Sequence, residues 1–302
     1  MKNSGLIILI AVSLFIGACT SEVKNENTDP LFETVPVIGA CNEGSVSEQE
    51  KQKVLKYINT IRSKHNLPAV EYNYTRDRMT QRAALITAAN AEVSYSPTSD
   101  AHCYSEEGKK GCESSALSLW GSSLSNWVYS EYHINEWLTG LDGNIDNRRK
   151  ILNPFLKTIT FGRIIGTPKR GEYKYVSSAS LLLNDFNTSL SDFDGEFVAY
   201  PQGSYDAKLF DAKAALSFSA VYDYSNQSNS NVDYSGAQVT VMVGSQELIV
   251  TEVSYDNRNA GLANCIQWKV EGLAKNVIYD VKISNVIVNS VSKDYEYNFS
   301  FK

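Results

Sequence analysis

The chain reads as an α+β protein, with a helix-rich first half that gives way to strand and a second half that is strand throughout. Apolar residues recur at three- and four-residue spacing up to about position 140. From about residue 192 the period falls to two, which is the period of a half-buried strand. The length of 302 residues allows about two domains, each large enough to bury a core. A hydrophobic content of 43% with 21% charged residues excludes wholesale disorder. Lys and Arg number 28 against 34 Asp and Glu, a net charge of −6, which argues against a nucleic-acid partner. His65, His102 and His133 are the only histidines, so imidazole chemistry has few candidates.

The first element is a leader. Lys2 precedes an apolar run from Leu6 to Ala18, shorter than the ~20 residues of a bilayer span but of signal-peptide length. The run ends in Ile16-Gly17-Ala18-Cys19, which resembles the lipobox of bacterial lipoproteins. That resemblance implies a signal peptide over 1–18, acylation of the Cys19 thiol, and cleavage that leaves Cys19 as the new N-terminus. It implies a membrane anchor in the bacterial cell envelope, with the body facing the periplasm or the exterior. Residues 19–46 are rich in acids, hold two prolines and show little apolar periodicity, so they read as a flexible tether.

Ser47-x-x-Glu50 has the form of a capping box and opens a first helix, with Val54, Leu55, Ile58 and Ile61 along one face and Asn66 and Pro68 at its end. A second helix is predicted from about Thr75 to Ala91, Ala-rich enough to lie close on a sheet. A third is expected to start near Glu113, and a fourth to run through Trp127, Glu131, Ile134 and Leu138. Short strands follow at about 158–164 and 173–183, which implies helices on both sides of a small sheet.

The second half alternates at 215–221, at Val239, Val241 and Val243, and at Leu248 and Val250, with Gly244-Ser245 placed for a hairpin turn. Further strands are read at 265–270, 277–288 and 295–301. Several short alternating strands over 192–302 predict an antiparallel sandwich of immunoglobulin-like or fibronectin-like type.

Export makes disulfides possible among Cys41, Cys103, Cys112 and Cys265, in three connectivities. Cys103 and Cys112 bracket a short polar stretch and are the expected pair, leaving Cys41 and Cys265 as free thiols. No CxxC spacing and no clustered His support a zinc site, so no metal and no cofactor are expected.

Motifs that carry a mechanism of their own are absent: no HExxH, no P-loop, no Rossmann glycine fingerprint and no GxSxG elbow. A Ser-His-Asp arrangement has no singled-out nucleophile, and the Cys nearest His102 is the disulfide candidate Cys103. Other segments form an ordered set. They are Ile61-Arg62-Ser63-Lys64-His65-Asn66-Leu67-Pro68-Ala69-Val70-Glu71-Tyr72, the Ala-rich Arg82–Ala89, Ala101-His102 and Gly111-Cys112-Glu113-Ser114. Asn135-Glu136-Trp137-Leu138, Asn147-Arg148-Arg149-Lys150-Ile151-Leu152-Asn153-Pro154 and Phe161-Gly162 follow. In this order they resemble the CAP superfamily, also called SCP or PR-1 domains, over about half the chain.

The resemblance implies an α-β-α CAP domain over 47–186, with the appended sandwich over 192–302. It implies a cleft of two His and two acids, a set that holds a divalent cation or moves a proton. Position by position, the first His is His102 and the first acid Glu113. The second acid is Glu136, or Glu131 one turn earlier, and the second His falls on Asn147. An amide does not titrate near neutrality and is a poor zinc ligand. Beside these roles stand plainer ones: a hydrogen-bonded His102, a Glu113 at a helix start, a solvated Glu136. Arg148 and Arg149 have theirs too, one pairing with an acid and the other solvated.

The function expected from the sequence is therefore an envelope-anchored binding or interaction module, without efficient catalysis, whose ligand is an extracellular protein, glycan or lipid. A hydrolase using His102, Glu113 and Glu136, and a carrier of apolar ligands, are the alternatives.

Overall fold

The computed structural model describes residues 31–140 and 143–302. The signal-peptide and lipid-attachment expectations, Cys19 included, fall outside these residues. β1 (Phe32–Thr34) pairs with β2 (Ser45–Val46), and a 3-10 turn at Ile38–Ala40 lies between them. Then come α1 (Glu48–Ser63), β3 (Glu71–Tyr72), α2 (Asp77–Asn90), α3 (Glu106–Ser114), β4 (Ser115–Ser122), α4 (Ser130–Thr139), α5 (Asp146–Ile151), β5 (Leu156–Gly166) and β6 (Tyr175–Phe186). The second part holds β7 (Phe197–Tyr200), β8 (Gly203–Tyr205), β9 (Leu216–Ala220), β10 (Val232–Asp233) and β11 (Gln238–Val243). It continues with β12 (Gln246–Glu247), β13 (Val250–Asp256), β14 (Cys265–Val270), β15 (Tyr279–Val288) and β16 (Val291–Phe301).

The segment 31–46, expected to belong to the tether, is folded. Ile38 and Val46 are 4% and 2% exposed, because both sit under the first sheet rather than in solvent. Ser47 caps α1, its Oγ accepting from the Glu50 amide at 3.2 Å, while its own amide donates to the Leu31 carbonyl at 3.1 Å, so the reciprocal half of the expected capping box is not made.

β3-β5-β6-β4 form one sheet. Side chains alternate across β6, and each face has its own cover. Ser178 and Ser180 donate to the Ala84 and Thr80 carbonyls of α2 at 2.7 and 2.6 Å. Ala179, Leu181 and Leu183 join Ile58 and Ile61 of α1 and Ile134 and Trp137 of α4 in the main core. Helices therefore lie on both faces, and α2 approaches so closely that a Cβ on Gly162 would collide with the Thr80 backbone.

α3 begins at Glu106 and ends at Ser114, so Glu113 closes that helix instead of opening one. Ser105 caps it by accepting from the Gly108 amide at 3.1 Å. Its glycines, which mask it as a loop in the sequence, are required by its packing. A Cβ on Gly108 would lie 2.7 Å from Ile86 Cδ1, and one on Gly111 3.0 Å from Ala83 Cβ.

This helix also decides the cysteines. Cys41 is bonded to Cys103, with Cα atoms 5.1 Å apart, and the expected Cys103–Cys112 pair is not formed. Cys112 lies on the α2-facing side of α3 in a small core with Ala83, Ile86 and Leu117, its thiol directed at the Ala83 carbonyl. Cys103 precedes the helix and meets the 3-10 turn that carries Cys41. Cys112 and Cys265 are buried free thiols.

In the second part β13-β14-β9-β7 form one sheet, and β12-β11-β15-β16-β8 form another with β10 added on β15. β16 pairs parallel with β8; the other pairs in these two sheets are antiparallel. The sheets face each other through aromatic rings, Phe218 against Tyr295 and Phe197 against Tyr297, at 5.1 and 5.7 Å between centroids. The two parts of the chain share one continuous apolar cluster, from Ile58 and Phe155 to Tyr200, Trp268 and Phe299.

Candidate functional site

Two arginines of α5 bind the parts together. Arg148 is fully buried. Its Nε donates to the Leu138 carbonyl at 2.6 Å and its Nη2 to that of Thr139, while Nη1 crosses to the Ala215 carbonyl at 2.7 Å. Arg149 pairs with Asp256 at 2.8 Å and donates to the Arg258 and Leu262 carbonyls, each at 3.1 Å. Of the sequence expectations, one arginine does pair with an acid, but the other is not solvated. The carbonyls it satisfies are internal, at the end of α4 and the start of β9.

With α5 held, a cleft of about 500 Å³ opens beside it. One wall carries Glu113 and Ser114 from the end of α3, Lys150 from α5, and Asn184 and Phe186 from the end of β6. Loops of the second part supply the other wall through Asn226, Gln227, Ser228 and Asn259. Those loops are braced. Buried Asn229 donates to the Ala220 and Ala263 carbonyls, and Asn264 donates to the Asn229 carbonyl at 2.7 Å. Gly261, at φ 80°, lets the second loop close on α5, since a Cβ there would strike the Arg149 carbonyl.

Glu113 and Lys150 are the charged groups of the cleft. Glu113 is 45% exposed and lies 3.8 Å from Lys109. Lys150 is half-buried; desolvation lowers its pKa, against the pull of Asp146. Among the described residues its ammonium has neither a hydrogen bond nor an ion pair.

The other family positions lie elsewhere. His102 exchanges backbone bonds with the Asn90 side chain at 2.9 and 3.0 Å and sits beside the Cys41–Cys103 bond. Glu136 is exposed on α4, and Glu131 pairs with Lys53 at 2.8 Å. Asn147 is half-buried on α5, one turn before Lys150. Of the positions His102, Glu113, Glu131, Glu136 and Asn147, only Glu113 lines the cleft.

Neither does any other imidazole line it. His65 is buried against Tyr205, where desolvation holds its pKa down to about 3. His133 is buried as well, its pKa lowered by desolvation and by the Arg163 charge. His133 lies 2.7 Å from Ser118 Oγ and 3.2 Å from Ser177 Oγ, a constellation that sequence spacing left invisible. Arg163 donates to Ser177 Oγ at 2.8 Å, and the neutral imidazole donates through one ring nitrogen and accepts through the other.

Cys41, His102 and Cys103 bring three possible metal-ligand atoms within 4.8 Å of one another. Both sulfurs are consumed by the disulfide, so these residues do not fit a zinc ion in the oxidised protein. No family model matches this chain, and no curated protein is found to be similar to it.

Proposed function

We propose that this chain is an exported, lipid-anchored member of the CAP superfamily with an immunoglobulin-like sandwich attached, acting as a binding module outside the cytoplasm. The order of the family-like segments supports the assignment, as do the helices on both faces of one sheet. Two of those segments meet. Arg62 donates to the Pro68 carbonyl at 2.9 Å and to the Ile151 and Asn153 carbonyls at 2.7 and 2.9 Å. Two sheets facing each other through aromatic rings support the immunoglobulin-like reading of the second part.

One observation carries the function. The cleft that Glu113 lines holds amides, hydroxyls, one acid and one ammonium, and no imidazole. Such a site can hold a ligand but lacks the imidazole that most often moves protons near neutral pH. Its volume is that of a small-molecule site. The test is hydrolysis of protein and ester substrates by the full chain, with and without His102→Ala. We expect only background turnover from both. Turnover that His102→Ala abolishes would return the protein to the hydrolases. Incorporation of labelled fatty acid that Cys19→Ala abolishes would be the matching result for the anchor.

A further inference from the structure

We infer that the cleft beside α5 binds a saccharide bearing a carboxylate, such as a uronate-containing oligosaccharide. This rests on the cleft being the ligand site, as proposed above. Three features of its lining lead there.

The first is the free ammonium of Lys150. It is half-buried on the cleft wall and has no acid within ion-pair distance among the described residues. An ammonium taken partly out of water gains most from an anion that enters beside it. The second is the set of amides. Among the described residues the side chains of Asn184, Gln227 and Asn259 have no hydrogen-bond partner, and Asn226 uses only its oxygen, accepting from the Ser228 amide at 2.9 Å. Each amide offers two donors and an acceptor, which matches vicinal hydroxyls that both donate and accept. A peptide ligand would call for apolar side-chain pockets, whereas the apolar contribution here is Phe186 and the nearly buried Leu183. The third is Glu113, which repels a densely charged polyanion but accepts hydroxyl protons, so the ligand carries isolated carboxylates. The walls come from two parts of the chain clamped by Arg148 and Arg149, so little ordering is needed on binding.

Calorimetric titration of the full chain in detergent micelles tests this with three probes. They are a hyaluronan tetrasaccharide, chitotetraose (which keeps the acetamides but has no carboxylate), and trialanine with a free C-terminus. The hyaluronan fragment should saturate, chitotetraose should bind at least tenfold more weakly, and Lys150→Met should weaken the first at least tenfold while leaving the second unchanged. Asn184→Ala and Asn259→Ala remove exposed amides that make no hydrogen bond among the described residues, so they keep the fold. Each should weaken both sugars several-fold. Trialanine binding that depends on Lys150, without sugar binding, would overturn the saccharide and keep the cleft as the ligand site. Sugar binding indifferent to all three substitutions would overturn the location. Saturation by none of the probes would overturn both this inference and the reading it rests on.

Discussion

The Arg148 guanidinium lies 4.0 Å from the centre of the Tyr200 ring, and the two residues belong to different parts of the chain. Around that contact the arginine satisfies carbonyls at Leu138, Thr139 and Ala215. Removing it orphans buried acceptors and deletes a desolvated cation–π contact at once. Arg148→Met is therefore expected to destabilise the protein by about 3–5 kcal/mol in urea denaturation. Arg148→Lys should recover little, because an ammonium cannot reproduce the planar fork.

The cross-link gives a second expectation. Cys41–Cys103 closes a separation of 62 residues, and chain entropy sets its contribution at about 4 kcal/mol. Cys41→Ala should lower stability by that order, and Cys112→Ala should leave the cross-link intact in a non-reducing peptide map. Inside the fold, burial raises the Cys112 thiol to about 12, and the Glu113 charge adds to that, so Cys112 should resist alkylation until the protein unfolds.

Acid should loosen the fold through its buried imidazoles. His65 titrates at about 3 in the folded protein and His133 is lowered too, both by desolvation, whereas in the unfolded chain each takes a proton near 6.5. The unfolded state then binds more protons as pH falls below 6.5. The stability these groups contribute is complete above that value and is lost as pH drops toward the folded pKa values. Between pH 7 and pH 5 the loss is about 2 kcal/mol for His65, and His133 adds to it in the same direction. Urea midpoints measured at the two pH values check it; equal midpoints would mean that the imidazoles take their protons in the folded state.

Close approach of α2 to the sheet predicts a glycine effect. Gly162→Ala would set its Cβ 2.7 Å from the Gln81 amide nitrogen, with backbone on both sides of the clash. The expected loss is about 3 kcal/mol by thermal or urea denaturation. Gly236→Ala, where a Cβ meets nothing within 4 Å, should change stability little.

Much of this architecture was legible in the amino-acid order. The helix cap at Ser47, the Ala-rich α2 and the strand at Cys265–Val270 lie where local rules put them, because capping, propensity and period act within a few residues. α3 escaped that reading because its two glycines answer to a neighbouring helix and not to helix propensity. Glu113 was singled out by the family-like segments, and it lines the cleft. Lys150 and the sandwich amides were not, since nothing local sets an exposed Asn apart from any other.

The chain's order of residues alone determined the switch from helical to strand period, the scarcity of imidazoles and the amide at position 147. Tertiary structure decided which cysteine Cys103 meets, that Arg148 is entombed, and which wall faces Lys150. Each of those depends on segments distant in sequence, such as Arg148 and Ala215, being brought within hydrogen-bond distance. Only the shared packing of the two parts sets that separation.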